Sequence, residues 1–204
     1  WSEHRCINWP QAEVQVDRAL QFLESNPNRD AFVLLHLMDM HLPYTEPAGY
    51  KGQFAGTRPD SLSKDNFHRS EVMKADLSDD DKQYIRDRYD QNLAYIDDQI
   101  ARFIEALPSD ATVMIVSDHG EEFWDHGGFE HGHTLYDELL RIPLVVRGPG
   151  IGAGRFSEPV SMLDVAPTLA VSAGLDPEAM LGWPLQSLAD GSMSNEFQAR
   201  PQAF

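Results

Sequence analysis

Residues 111–150 read ATVMIVSDHGEEFWDHGGFEHGHTLYDELLRIPLVVRGPG. Two short apolar runs, VMIV at 113–116 and IPLVV at 142–146, bracket a polar stretch. Each run is too short for a free helix and is bounded by turn-forming residues, so each reads as a buried strand. Between them, residues 117–133 hold four of the chain's eight histidines, two aspartates and three glutamates. Open α/β sheets hold their ligands just past the carboxyl ends of strands. Asp118 and His119 stand at such an end, and Gly120 allows a sharp exit from it.

Outward from this stretch the pattern alternates. Val16, Ala19, Leu20 and Leu23 recur at helical spacing, predicting an amphipathic helix that ends near Asn26-Pro27. The run AFVLLHLM at 31–38 predicts another buried strand, with His41 just beyond its end. Residues 42–77 are polar and rich in Pro and Gly, a long connection of the kind that carries function or is disordered. Ser78 followed by Asp79, Asp80 and Asp81 starts a helix, since a hydroxyl can cap it and the helix dipole favours acid in the first turn. Ile85, Tyr89, Leu93, Ile96, Ile100, Phe103 and Leu107 continue it to Pro108, with Asp97-Asp98 on its solvated face. A last helix is expected in SMLDVAPTLAVSAG, stopped by Gly174, with an irregular tail over 191–204. The order is that of an α/β fold with mostly parallel buried strands.

Composition narrows the function. The 204 residues suffice for one domain or much of one. Asp plus Glu number 33 against 16 Lys plus Arg, a net charge of −17. No basic footprint for nucleic acid is present, and anionic membrane surfaces are disfavoured. No segment approaches the ~18 apolar residues of a membrane span. The single cysteine, Cys6, rules out an internal disulfide and reads as an incidental thiol. An acidic chain can still take an anionic substrate where a metal ion makes a local positive site.

Asp118 and His119 pair a hard carboxylate with a borderline imidazole, a donor set suited to Zn²⁺, Mn²⁺ or Fe²⁺ more than to an all-oxygen Ca²⁺ site. The bland reading makes Asp118 a turn cap and His119 a satisfied polar residue. His126, His131 and His133 follow in a glycine-rich loop that can bend around a ligand. His131-x-His133 could also form a zinc pair of an unrelated hydrolase. No G-x-S-x-G, H-E-x-x-H, Walker A or G-x-G-x-x-G motif offers a competing scheme.

IVSDHGEEFWDHGGFEHGHTLYDELLRIPLVVRGPG closely resembles the metal-site segment of the sulfatase branch of the alkaline-phosphatase superfamily. FVLLHLMDMHLPY resembles that branch's DPHxPY-type segment, and YDQNLAYIDDQIARFIEAL and VSMLDVAPTLAVSAGL are similar to two of its helices. The pieces occur in family order over residues 11 to about 190. The resemblance implies an alkaline-phosphatase-like α/β fold, a mostly parallel sheet flanked by helices and only partly present in this chain. It implies a divalent metal (Mn, Zn or Ca) held by Asp118 and His119. It also implies that His41 holds the substrate's sulfate or phosphate oxygens. His131 would contact the anionic group, the leaving-group oxygen or a second metal. His133 ranks below His131, His126 is a loop organiser, and Arg141 would pair with Glu138 or Asp137. Met40 departs from the proline usual before this histidine. Asp118-His119 in place of Asp-Asn resembles relatives that cleave phosphate or phosphonate esters.

The family's nucleophile is a cysteine-derived formylglycine, or a Ser or Thr, in its N-terminal half, beside paired acidic metal ligands. No C-x-P-x-R or C-x-A-x-R motif occurs here. The expectation is therefore that residues 1–204 are the C-terminal portion of a sulfatase-like catalytic domain. The chain would carry half of a metal and substrate site for a small anionic ester and need the N-terminal half to act. A phosphodiesterase or phosphonate hydrolase, and a non-catalytic domain that lost its nucleophile, are the rival expectations.

Overall fold

A computed structural model describes residues 11–62, 67–156 and 159–186. Cys6 and the tail over 191–204 lie outside the described residues. The described residues fall into two compact units, one drawn from 11–107 and 121–139, the other from 108–120 and 140–186.

The first unit is organised by helix α1 (Ala12–Ser25) and the long helix α3 (Asp79–Glu105). On α1 the buried residues are Ala12, Val16 and Ala19, the face that the spacing predicts. Gln11 provides no side-chain cap for α1. Asp39 does so from 27 residues away, its two carboxylate oxygens accepting the Ala12 N–H at 3.2 and 3.1 Å. The Tyr95 hydroxyl accepts the next N–H, from Glu13, at 3.0 Å. Helix α3 begins with a complete capping box between Ser78 and Asp81, as its first turn leads one to expect. Asp97 and Asp98 are exposed, and Asp98 accepts a hydrogen bond from Tyr50.

The described parts of the long connection, residues 42–62 and 67–77, supply core. Tyr44, Ala55, Leu62, Phe67 and Val72 pack with Tyr84, Ile85 and Phe129, and a one-turn helix α2 (Arg69–Val72) lies within it. Polar side chains of α3 hold it. The buried Arg88 guanidinium donates to the Tyr44 carbonyl at 2.5 Å, and Gln91 Oε1 accepts the Phe54 and Ala55 N–H groups. A segment without periodicity thus becomes fixed because a helix supplies the partners its backbone needs.

A small hairpin completes this unit: β2 (Glu122–Phe123) antiparallel to β3 (Phe129–Glu130). Arg86 donates to the Phe123 carbonyl at 2.9 Å and Arg69 to the Phe129 carbonyl at 3.0 Å. Trp124 stacks on Phe129, with the Lys82 and Arg86 cations over its ring.

The expected strand at 31–38 is a correction. The segment forms no strand and pairs with no described strand, and from Phe32 to Leu37 its side chains alternate between exposed and half-buried. Phe32 is 76% and Leu34 78% exposed. A continuous apolar run reads as a strand covered on both faces; here neither a ladder partner nor a second covering layer is among the described residues.

In the second unit, β1 (Val113–Val116) pairs with β4 (Leu144–Arg147), Val113 opposite Arg147 and Val116 opposite Leu144. β1 coincides with the run at 113–116, and β4 overlaps the run at 142–146 and extends one residue beyond it. The ladder is antiparallel, which lets the chain return from the same sheet end without the crossover helix a parallel pair needs. They are half-buried rather than fully buried, and Val145 is 57% exposed. A 3₁₀ turn over Met162–Asp164 leads into α5 (Val165–Ser172), the predicted last helix. Buried Asp164 accepts the N–H groups of Ser161 and Trp183, both at 2.8 Å, so the segment after α5 folds back on its start. No helix of the described residues is long and apolar enough to cross a membrane.

Candidate metal and anion site

Asp118 and His119 follow β1 directly. Ser117 donates to the His119 carbonyl at 2.5 Å, and Asp118 Oδ1 accepts the His119 N–H at 3.1 Å. The His119 ring meets the Gly120 carbonyl through Nδ1 at 2.8 Å. A carbonyl only accepts, so Nδ1 carries a proton and Nε2 is the ring nitrogen left to face a ligand. That nitrogen lies 3.7 Å from Asp118 Oδ1, close to the ~3.4 Å edge of a tetrahedral site built with bonds of ~2.1 Å. The imidazole Nε2 and the Asp118 carboxylate are thus spaced as two ligands of one ion would be, and these residue types fit a divalent ion.

His41 and His131 form a second pair, in the first unit. Their ring centroids are 5.2 Å apart at 76°. His41 sits in the turn closed by its own N–H on the Met38 carbonyl, and Asp39 of that turn is tied to α1. His131 follows β3. His41 Nδ1 meets the Leu42 carbonyl at 2.8 Å, and His131 Nδ1 meets Glu121 Oε1 at 2.9 Å. Both acceptors lack protons, so both rings donate from Nδ1. The other oxygen of Glu121 accepts the Tyr44 hydroxyl at 2.8 Å. Burial, together with Glu121, pushes the Tyr44 pKa up and keeps that hydroxyl a donor. Glu130, at φ +71°, joins the pair: His41, Glu130 and His131 offer ligand atoms all within 4.8 Å of one another.

The remaining histidines of the loop have carboxylate partners. His133 Nε2 is 2.8 Å from Glu122 Oε2, and His126 Nδ1 is 2.6 Å from Glu138 Oε1. His126 also stacks on Tyr136 at 3.7 Å. Glu138, one of two partners expected for Arg141, is thus engaged by His126. Glu122 is fully buried and also accepts the N–H groups of Gly128 and His126, at 2.6 and 3.1 Å. Burial opposes its charged form, but these donors and His133 outweigh it and hold its pKa below the usual carboxylate range. Gly128 is required here, because a Cβ would stand 2.3 Å from His133 Nε2 and 2.6 Å from Glu122 Oε2.

Sequence reasoning missed Glu121 and Glu130, which counted only as two of three glutamates in a crowded loop. It also missed the hairpin that carries them, because two-residue strands leave no periodicity.

The model of the family described as Sulfatase matches residues 7–175. The chain belongs to the sulfatase family. Over 183 residues it is 30% identical to the uncharacterized sulfatase YidJ of Escherichia coli K12, a match covering 81% of this chain and 37% of that protein. It is 31% identical over 133 residues to the choline-sulfatase of Rhizobium meliloti, covering 60% of this chain and 26% of the relative. Human arylsulfatase K is 34% identical over 90 residues, 43% of this chain and 17% of that protein. The sulfatase-family chain therefore spans well under half the length of the curated relatives it matches. A crystal structure of a Bacteroides thetaiotaomicron protein described as a sulfatase shares the fold, with a TM-score of 0.56 at 18% identity over 93% of this chain and 49% of that one. The fold class is thus alkaline-phosphatase-like α/β, and the helices and small sheets here are a part of it.

Proposed function

We propose that this chain serves metal-dependent hydrolysis of a sulfate ester, as the C-terminal portion of a sulfatase-like catalytic domain that supplies half of the site. The family match over residues 7–175 carries this reading. The donor geometry at Asp118 and His119 supports its metal half.

Asp118 and His119 would hold the ion from the end of β1. When bound, a divalent ion there supplies Lewis-acid polarisation of the ester's non-bridging oxygens. His41 and His131 form the substrate-facing side. Glu121 keeps the His131 ring in one tautomer and orientation, and Arg88 fixes the backbone beyond His41 through the Tyr44 carbonyl. The nucleophile and the remaining acidic ligands come from polypeptide N-terminal to this chain, which the matched share of each relative leaves room for.

Phosphate or phosphonate ester cleavage is the second reading, favoured by one observation: an imidazole, not an amide, follows Asp118. Imidazole suits Mn²⁺ or Zn²⁺ better than Ca²⁺.

One assay tests both readings. The 204-residue chain alone, with Mn²⁺, should turn over neither nitrophenyl sulfate nor nitrophenyl phosphate. The full-length product of its gene should cleave one of them and lose at least ~100-fold in kcat on His119→Ala. Brisk turnover by the lone chain, abolished by His119→Ala, overturns the half-site reading. A preference for the phosphate ester replaces the sulfatase reading with the second one.

A further inference from the structure

We propose that Lys82 and Arg86, laid over Trp124, form an accessory anion site. It takes a sulfate, phosphate or carboxylate group that the ester carries in addition to the one it loses. The site lies wholly within the first unit, on the hairpin that leads to His131.

The fully buried Phe129 ring stacks on Trp124 with centroids 5.0 Å apart and planes 19° from parallel, which covers one indole face. The other face is left for two cations, Lys82 Nζ at 5.6 Å from the ring centroid and Arg86 Cζ at 5.5 Å. Both project from one side of α3, where side chains at i and i+4 are neighbours. Arg86 is also fixed by its Nη2 bond to the Phe123 carbonyl, which leaves Nε and Nη1 as donors. The Lys82 ammonium keeps its three. Laid on an indole, both side chains lose little further freedom when they close on a ligand. Trp124 itself has φ +65°, a conformation a bulky residue rarely adopts and keeps only where its surroundings hold it.

The charges are otherwise uncompensated. Like charges at i and i+4 repel, and Lys82 stands near the N-terminus of α3, the end at which the helix dipole disfavours a cation. The chain has 33 acidic against 16 basic residues, yet neither Lys82 nor Arg86 is in an ion pair among the described residues. Neighbouring acids are committed elsewhere: Asp81 accepts the Ser78 N–H, Asp87 the Gln83 amide and Asp125 the Phe123 N–H. The clamp on the hairpin is made by Arg86, and the Lys82 side chain adds no hydrogen bond to it among the described residues. Both cations and the indole are half-buried, so they attract an anion with less screening than exposed side chains would. An oxyanion bridging the two cations satisfies both. The same hairpin carries His131 at its exit, so an ester held there has this positive edge beside it, and the substrate class is an ester with at least two anionic groups. That role rests on the proposed hydrolysis; anion binding does not.

Two measurements test the site. In the first, the 204-residue chain is titrated with inorganic sulfate while the Trp124 indole N–H resonance, assigned by its loss in Trp124→Phe, is followed by NMR. The resonance should shift saturably, and Lys82→Gln should weaken the apparent affinity by about 10-fold, the loss of one charge-assisted contact. Lys82→Arg should restore it, and circular dichroism with a thermal melt checks that each variant is folded. No saturable shift, or an affinity unmoved by Lys82→Gln, overturns the proposal. In the second, the full-length gene product is given nitrophenyl sulfate and the same ester bearing a carboxylate on a flexible arm. Lys82→Gln should raise the ratio of the two-charge KM to the one-charge KM by about 10-fold. An unchanged ratio alongside saturable sulfate binding means an adventitious ion only and overturns the substrate role. A full-length product that cleaves neither ester fails the proposed hydrolysis, and the sulfate titration still decides the site.

Discussion

Glu121 joins His131 to Tyr44: one carboxylate oxygen lies 2.9 Å from the ring Nδ1, the other 2.8 Å from the phenol oxygen. A candidate site residue is thereby fastened to the aromatic core through a single side chain. Tyr44→Phe should cost about 1 kcal/mol and Glu121→Gln somewhat more. In a double-mutant cycle read by urea unfolding, the two should couple by at least ~0.5 kcal/mol. Strict additivity would mean that the link carries no energy.

Glu122 predicts an acid-sensitive hairpin. Its folded pKa lies below its unfolded value. The stability it contributes is therefore fully present above the unfolded pKa and is lost as pH falls through the folded one. Glu122→Gln should cost about 2 kcal/mol at neutral pH. Measured across a pH series, the gap between wild type and variant should close below the usual carboxylate range. A gap that stays constant to low pH would show that the charge is not what holds the loop.

Gly128→Ala should destabilise the same loop by about 2 kcal/mol, because the new methyl meets the Glu122–His133 pair rather than open space. The His133 ring resonances should shift in the NMR spectrum. Gly127→Ala, with nothing near its added Cβ, should leave His133 in place and pay only for its left-handed φ of +85°.

Asp39→Ala should remove the cap of α1 at a cost of about 1 kcal/mol. Amide exchange should quicken at Ala12 before the rest of the helix. Unchanged exchange at Ala12 would mean that solvent caps the helix as well as Asp39 does.

Helices α1, α3 and α5 are legible in the sequence because each carries a sustained apolar spacing or an explicit cap. Strands β1 and β4 are legible as apolar runs between turn residues. Their pairing direction is not, since four-residue runs carry no information about which way a neighbour runs. The run at 31–38 misleads for a related reason. Hydrophobicity says that a segment seeks cover, not that the described chain provides it. At the site, Asp118 and His119 are visible as residue types at a strand end, and His41 and His131 through the segments that resemble the family. Glu121 and Glu130 are not, because their roles arise from a two-residue hairpin and from a positive φ at Glu130. The anchoring of the connection at Tyr44 and Ala55 is equally hidden, since Arg88 and Gln91, polar residues on the buried face of α3, supply the partners.

The open run with Phe32 and Leu34 facing outward has a consequence for how this polypeptide fares in a cell. Backbone groups with no ladder partner among the described residues, beside exposed aromatic and aliphatic side chains, are a template for adding another strand. A copy of residues 1–204 released by itself would be drawn into self-association or held by chaperones. Its abundance would then be set by how quickly that edge is covered, and a lysine at position 34 should lengthen its lifetime in solution more than any repair of its chemistry.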